Sequence, residues 1–162
     1  MQQANIYYYS RDYDRAIKEF RKAHELHPNF TFTYLYIGFT YSQIDMHEEA
    51  IRSMQKVNTL SESPRNVAYL GYVNAVAGNN DKAFQMLDSL LKLSNENLVQ
   101  HASSMAVLYI GLADNDQALH WLEMAYEHHE YDLNFIKIDP VFDPIRSNPR
   151  FIEILKKMGL EK

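Results

Sequence analysis

The chain has 162 residues, of which 46% are apolar, 23% charged and 13% aromatic, enough to bury a core as one domain or as a short stack of repeats. Sixteen Lys and Arg face twenty-one Asp and Glu, a net charge of −5 with no basic block, which argues against nucleic acid or an anionic membrane surface as the main partner. There is no cysteine, so disulfides, thiolate nucleophiles and Cys-based zinc sites are excluded together; no apolar run reaches about 18 residues and no basic-then-apolar leader opens the chain, so it reads as cytoplasmic with no membrane span.

Self-comparison organises the chain. A small residue followed twelve positions later by Ala occurs four times: Ala4 with Ala16, Gly38 with Ala50, Gly71 with Ala83, and Ala106 with Ala118, at steps of 34, 33 and 35. Three residues after each small residue stand Tyr7, Tyr41, Asn74 and Tyr109, and four after each Ala stand Phe20, Met54, Leu87 and Leu122. Ala23, Val57, Leu90 and Ala125 follow each Ala by seven, while Asp14, Glu48, Asp81 and Asp116 precede it by two. Spacings of three, four and seven lie on one helical face, so each copy predicts two amphipathic helices joined by a short turn. The small residues mark the place where the two backbones of a copy approach. The acid before each Ala falls in the first turn of the second helix, at the positive end of its macrodipole. Arg11-Asp12, Gly78-Asn79-Asn80 and Ala113-Asp114-Asn115 are turn and cap residues that separate the helices.

This pattern of small, aromatic and Ala positions in a unit of about 34 residues resembles the tetratricopeptide-repeat (TPR) family. The resemblance implies an all-α, right-handed solenoid of stacked antiparallel helix pairs, with repeats at 1–30, 31–63, 64–98 and 99–131 and a capping segment at 132–162. Pro28 fits the family's helix-ending proline, where the later copies have Glu62, Asn95 and Glu130. The bulky residue expected four positions before Ala4 would precede Met1, so the first helix of the first repeat reads as truncated.

Residues 132–162 fall out of register. Asp139-Pro140 and Asn148-Pro149 are N-cap and N1 pairs that start a turn and then a helix, and Gly159 stops that helix. Phe151, Ile152, Leu155 and Met158, with Val141, Phe142 and Ile145, supply apolar faces that predict a cap on the last repeat. The stretch from Ile138 to Leu160 resembles the C-terminal end of many bacterial TPR proteins, in which such repeats are often the tail of a longer regulator.

Catalytic motifs do not emerge: there is no phosphate-binding Gly-rich loop, no Gly-x-Ser-x-Gly and no His-Glu-x-x-His. His24, His27, His128 and His129 lie near predicted helix C-termini, where a cationic imidazole would suit the dipole, and no carboxylate joins them at metal-ligand spacing. His47 and His120 read as surface residues. Glu48 and Glu49 read as a solvated first turn, Asp139 as a cap and Asp143 as a turn residue. The chain is therefore expected to be no enzyme and to need no metal or cofactor.

The remaining constellation is aromatic. In stacked repeats the first helices line a concave face, and positions two before and one after each small residue point into it. These are Gln2, Tyr36, Tyr69 and Ser104, and Asn5, Phe39, Tyr72 and Val107, with Phe32 beside them. Phe32, Tyr36, Phe39, Tyr69 and Tyr72 thus form a candidate peptide platform, since Tyr and Phe give large contact area with few rotors to freeze, and Arg65 at its rim can hold a carboxylate. The Lys/Asn carboxylate clamp known in the family is missing, since Leu35, Phe39, Ala68 and Tyr72 stand where it would be. The expected function is binding a peptide segment of a protein partner. The alternative is a homo-oligomerising or regulatory tail of a longer bacterial regulator, in which another chain fills the groove or the truncated first repeat.

Overall fold

The structure, a computed structural model, describes residues 1–93 and 98–160; Asn95 lies outside them. No strand occurs among the described residues. The helices come in pairs: α1 (Gln2–Tyr9) with α2 (Tyr13–Leu26), α3 (Thr31–Ser42) with α4 (His47–Leu60), α5 (Pro64–Val76) with α6 (Asn80–Leu91), and α7 (Ala102–Gly111) with α8 (Asn115–Glu127). Each pair packs on the next, so the core is a continuous column rather than a sphere.

The two helices of a pair bury different amounts of surface. The second helices bury one stripe each, as in Ala50, Met54 and Val57 of α4 or Ala83, Leu87 and Leu90 of α6. The first helices α3, α5 and α7 are enclosed by neighbours on most sides, and every residue of α7 from Ala102 to Ile110 is buried. Asn74, the polar exception to the aromatic register, is 2% exposed. Its side-chain amide donates to the Leu70 carbonyl at 2.8 Å, so the buried polar group is partnered.

The turns inside the pairs share one geometry. Arg11, Asp45, Gly78 and Ala113 all have φ between 58° and 79°. The amide after each of them, on Asp12, Met46, Asn79 and Asp114, donates back to the carbonyl of Tyr7, Tyr41, Asn74 and Tyr109 at 2.8–3.0 Å. This is the six-to-one closure of a left-handed helix C-terminus, and only one of the four positions uses Gly. The aromatic register therefore marks a backbone position as well as a packing one.

Close approach falls elsewhere than the sequence pattern suggests. A Cβ on Gly38 would meet the Met54 side chain of its own pair, but on Gly71 its nearest contacts would be Leu108 of the next pair, at 2.7 Å, and not Ala83. The tightest backbone approach is at Gly111, outside the pattern, where a Cβ would meet Tyr72 Cδ2 at 2.9 Å and the Tyr72 carbonyl oxygen at 3.0 Å. A carbonyl cannot move aside as the end of a Met can. Gly111→Ala is expected to destabilise the chain by about 1–3 kcal/mol in urea unfolding, and Gly38→Ala by clearly less, because only the former forces α5 and α7 apart.

After α8 the chain makes two short 3-10 turns, Tyr131–Phe135 and Pro140–Ile145, and ends in α9 (Pro149–Lys157). Asp139 and Asn148 cap as expected, accepting from the amides of Val141 and Arg150 at 3.0 Å, and Gly159 closes α9 with φ 70°. Phe151 is buried but Ile152 is 44% exposed, and Ile154 takes the inner place instead. The face runs 151, 154, 155, 158 along the helix, and position 152 lies about 100° off it.

The segment does more than cap. The turn Pro140–Ile145 packs on α7 and α9 packs on α8, and Asp139 before the turn and Asp143 within it reach the first pair. Tyr8 Oη donates to Asp139 Oδ1 at 2.8 Å, between residues 131 apart in sequence, and Arg11 makes a bidentate pair with Asp143 at 2.7 and 2.9 Å. The solenoid's ends are tied together.

Candidate functional site

The concave face is lined by the first helices. Tyr36 and Phe39 come from α3, Arg65 and Tyr69 from the next first helix, Ser103 and Val107 from α7, and Tyr9 from α1. Glu130 and Tyr131 at the end of the last repeat, with Asp132, Phe135, Asp139, Val141 and Phe142 of the C-terminal segment, roof them over a cavity of about 430 Å³. A second hollow of about 350 Å³ continues from it along the α2–α3 and α4–α5 loops, sharing Phe32, Leu35 and Arg65 as common wall.

Most of the candidate residues meet here. Phe39 and Tyr69 form the floor, each 7% exposed, with ring centres 5.1 Å apart at a steep angle. Tyr36 is half-buried, lies flat on Phe20 at 5.8 Å and shares a 3.1 Å hydrogen bond between its hydroxyl and that of Tyr9. Phe32 stands at the mouth, 46% exposed and 5.7 Å from Phe30. Tyr72 lies outside the cavity wall: it packs behind Phe39 at 5.8 Å, and its hydroxyl accepts from Gln43 Nε2 at 3.4 Å. Of the flanking positions, Val107 lines the wall, Ser104 is buried, and Gln2 and Asn5 lie away from it.

Arg65 holds a carboxylate of its own chain. Its guanidinium lies 3.2 Å from Asp132 and 5.9 Å from the Tyr69 ring centre, a mixed ion pair and cation–π contact. Phe135 stacks parallel on Tyr9 at 5.7 Å. Glu130 closes the N-terminus of α7, accepting from the amides of Ala102 at 2.7 Å and Ser103 at 3.3 Å and from the Ser103 hydroxyl, a position favoured by the helix dipole. Asp132 and Phe135 escaped the repeat arithmetic because they lie beyond it, Tyr9 because it sits between the marked positions, and Glu130 entered it only as the counterpart of Pro28. The alternation of acids and aromatics from 130 to 142 was the available signal.

Burial dominates the electrostatics of the roof. It pushes the Asp139 carboxyl up to about 6, against the opposing pull of the Val141 amide, the Tyr8 hydroxyl and Arg146. Burial likewise raises Tyr8 and Tyr69 well above the usual tyrosine range. At Asp143 burial acts upward too, but hydrogen bonds from Arg11 and Arg146 outweigh it and hold the carboxyl below its ordinary value. Among the described residues no three His, Asp or Glu converge as metal ligands, and no helix is long and apolar enough to cross a membrane.

Comparison with known proteins places the fold. Residues 1–30 match the family model described as Tetratricopeptide repeat. No curated protein matches the chain. Two crystal structures of MamA align with 99% of the chain, at 22% and 24% sequence identity, covering 87% and 81% of those proteins, each with a TM-score of 0.52. At that identity the likeness is one of fold, and with the paired helices described above it makes this an all-α TPR-type solenoid.

Proposed function

We propose that the chain is a non-catalytic protein-interaction module that takes a peptide segment of a partner in its aromatic concave groove. The observation that carries this reading is the cavity itself: two connected hollows walled by Phe32, Tyr36, Phe39 and Tyr69, with Arg65 at their junction. Tyr72 supports the floor from behind. Large, nearly immobile rings in a preformed concavity lower the ordering cost of binding. In this reading the repeats at 1–30, 31–63, 64–98 and 99–131 form the groove and 132–162 closes one side of it.

The test is selection of peptides from a displayed library against the whole chain, followed by titration. The double substitution Phe32→Ala, Tyr36→Ala is expected to weaken a selected peptide by at least about tenfold, while the far-ultraviolet circular dichroism stays helical. Unchanged affinity in a helical variant places the site elsewhere and defeats the reading.

A further inference from the structure

The charges around the groove are divided by side. Among the described residues the basic side chain in the wall of both hollows is Arg65, from α5, while the carboxylates of the wall, Glu130, Asp132 and Asp139, all follow α8. Two helix starts add to the positive side. Neither α3 nor α5 has an acidic residue in its first turn, whereas α2, α4, α6 and α8 each do, and α3 has no side-chain cap. Those two starts border the open hollow, and the exposed pair Phe30 and Phe32 belongs to the first of them.

The chain also shows what this edge accepts. Asp132 occupies Arg65 in a half-exposed pair, with side-chain exposures of 34% and 38% for Arg65 and Asp132. The neighbours Leu133 and Ile136 are 2% and 0% exposed, so the segment itself is fixed. Asp132 alone needs to turn away for Arg65 to take another carboxylate.

Resting on the reading of the groove as a peptide site, we infer that its partner segment is acidic and apolar: a carboxylate on Arg65, in competition with Asp132, and flanking apolar side chains on Phe30 and Phe32. The internal ion pair then acts as a weak gate on the outer hollow. At the outer hollow, whose described wall carries Arg65 and no carboxylate, a basic segment is disfavoured by Arg65 and by both helix starts.

The test uses three labelled synthetic peptides with identical apolar residues, Phe-Xaa-Leu-Xaa-Phe, in which Xaa is Asp, Asn or Lys, titrated into the whole chain by fluorescence anisotropy. The Asp peptide is expected to bind about tenfold more tightly than the Lys peptide, a difference of one charge-assisted contact. Arg65→Gln should remove most of that difference, weakening the Asp peptide more than the Asn peptide. Asp132→Asn should tighten the Asp peptide severalfold, whereas a merely structural Asp132 would weaken it or do nothing. Equal binding of the three peptides, or no gain with Asp132→Asn, overturns the inference. If the peptides then still lose affinity with Phe32→Ala, the aromatic groove stands and only its charge preference falls; if none binds at all while library peptides do, the acidic class is wrong.

Discussion

Phe151→Ala is expected to destabilise the chain by about 3–5 kcal/mol, the usual cost of emptying a fully buried aromatic site. Phe151 is 0% exposed and stacks near Phe142 at 6.2 Å, beneath the roof of the groove. In an open solenoid such a loss would stay near the end where it occurs, because each unit touches only its neighbours. Here the first and last units touch through Tyr8 with Asp139, Tyr9 with Phe135 and Arg11 with Asp143. Amide hydrogen exchange is therefore expected to quicken both in residues 131–160 and in α1, with α4 and α6 less affected. Quickening confined to the C-terminal segment would mean that the crossing contacts transmit nothing. α1 has the most to lose, since Ala4 and Tyr8 are its only fully enclosed side chains among eight residues.

The repeat architecture was legible because it is written locally. Two helices and a turn recur within a window of about 34 residues, and the same register fixes packing at Ala16, Ala50, Ala83 and Ala118, none more than 1% exposed. The aromatic floor followed from the same arithmetic, which placed Tyr36, Phe39 and Tyr69 together. What escaped is non-local. Nothing periodic connects Asp139 to Tyr8, and an Asp before Pro has a sufficient local role as a cap, which Asp139 also fills with the same oxygen. In the sequence Arg65 is a guanidinium open to a carboxylate from outside, whereas in the fold Asp132 already supplies one. Gly71 and Gly111 carry a similar lesson. Spacing marks Gly71 as small without saying that the neighbour it admits is Leu108, and it misses Gly111 against Tyr72; in both cases the neighbour is in the adjacent pair.

Asp139→Asn is expected to make the chain more stable than its parent at pH 7, by up to about 3 kcal/mol, and no more stable at pH 4. Burial holds the folded carboxyl at about 6 against 3.8 for the free group. Between these values the folded chain binds the proton more tightly than the unfolded chain does. The contribution of Asp139 is therefore most favourable below pH 3.8, is lost as pH rises through about 4 to 6, and is constant above. Asparagine keeps an oxygen for the Tyr8 hydroxyl and the Val141 amide but carries no charge to bury. Asp143, held low by Arg11 and Arg146, acts in the opposite sense, adding stability above its unfolded value that is lost toward more acid pH; it is common to both proteins and cancels in the difference. Urea midpoints for parent and variant from pH 4 to pH 8 give that difference directly. A variant equally displaced from its parent at every pH would show that the Asp139 charge is not what burial penalises. Asp139→Ala separates geometry from charge: it leaves the Tyr8 hydroxyl, on a residue 0% exposed, without its acceptor and is expected to lose about 1–3 kcal/mol relative to Asp139→Asn at every pH. The carboxylate at the crossing thus costs stability at neutral pH, while its hydrogen bonds give the crossing its position.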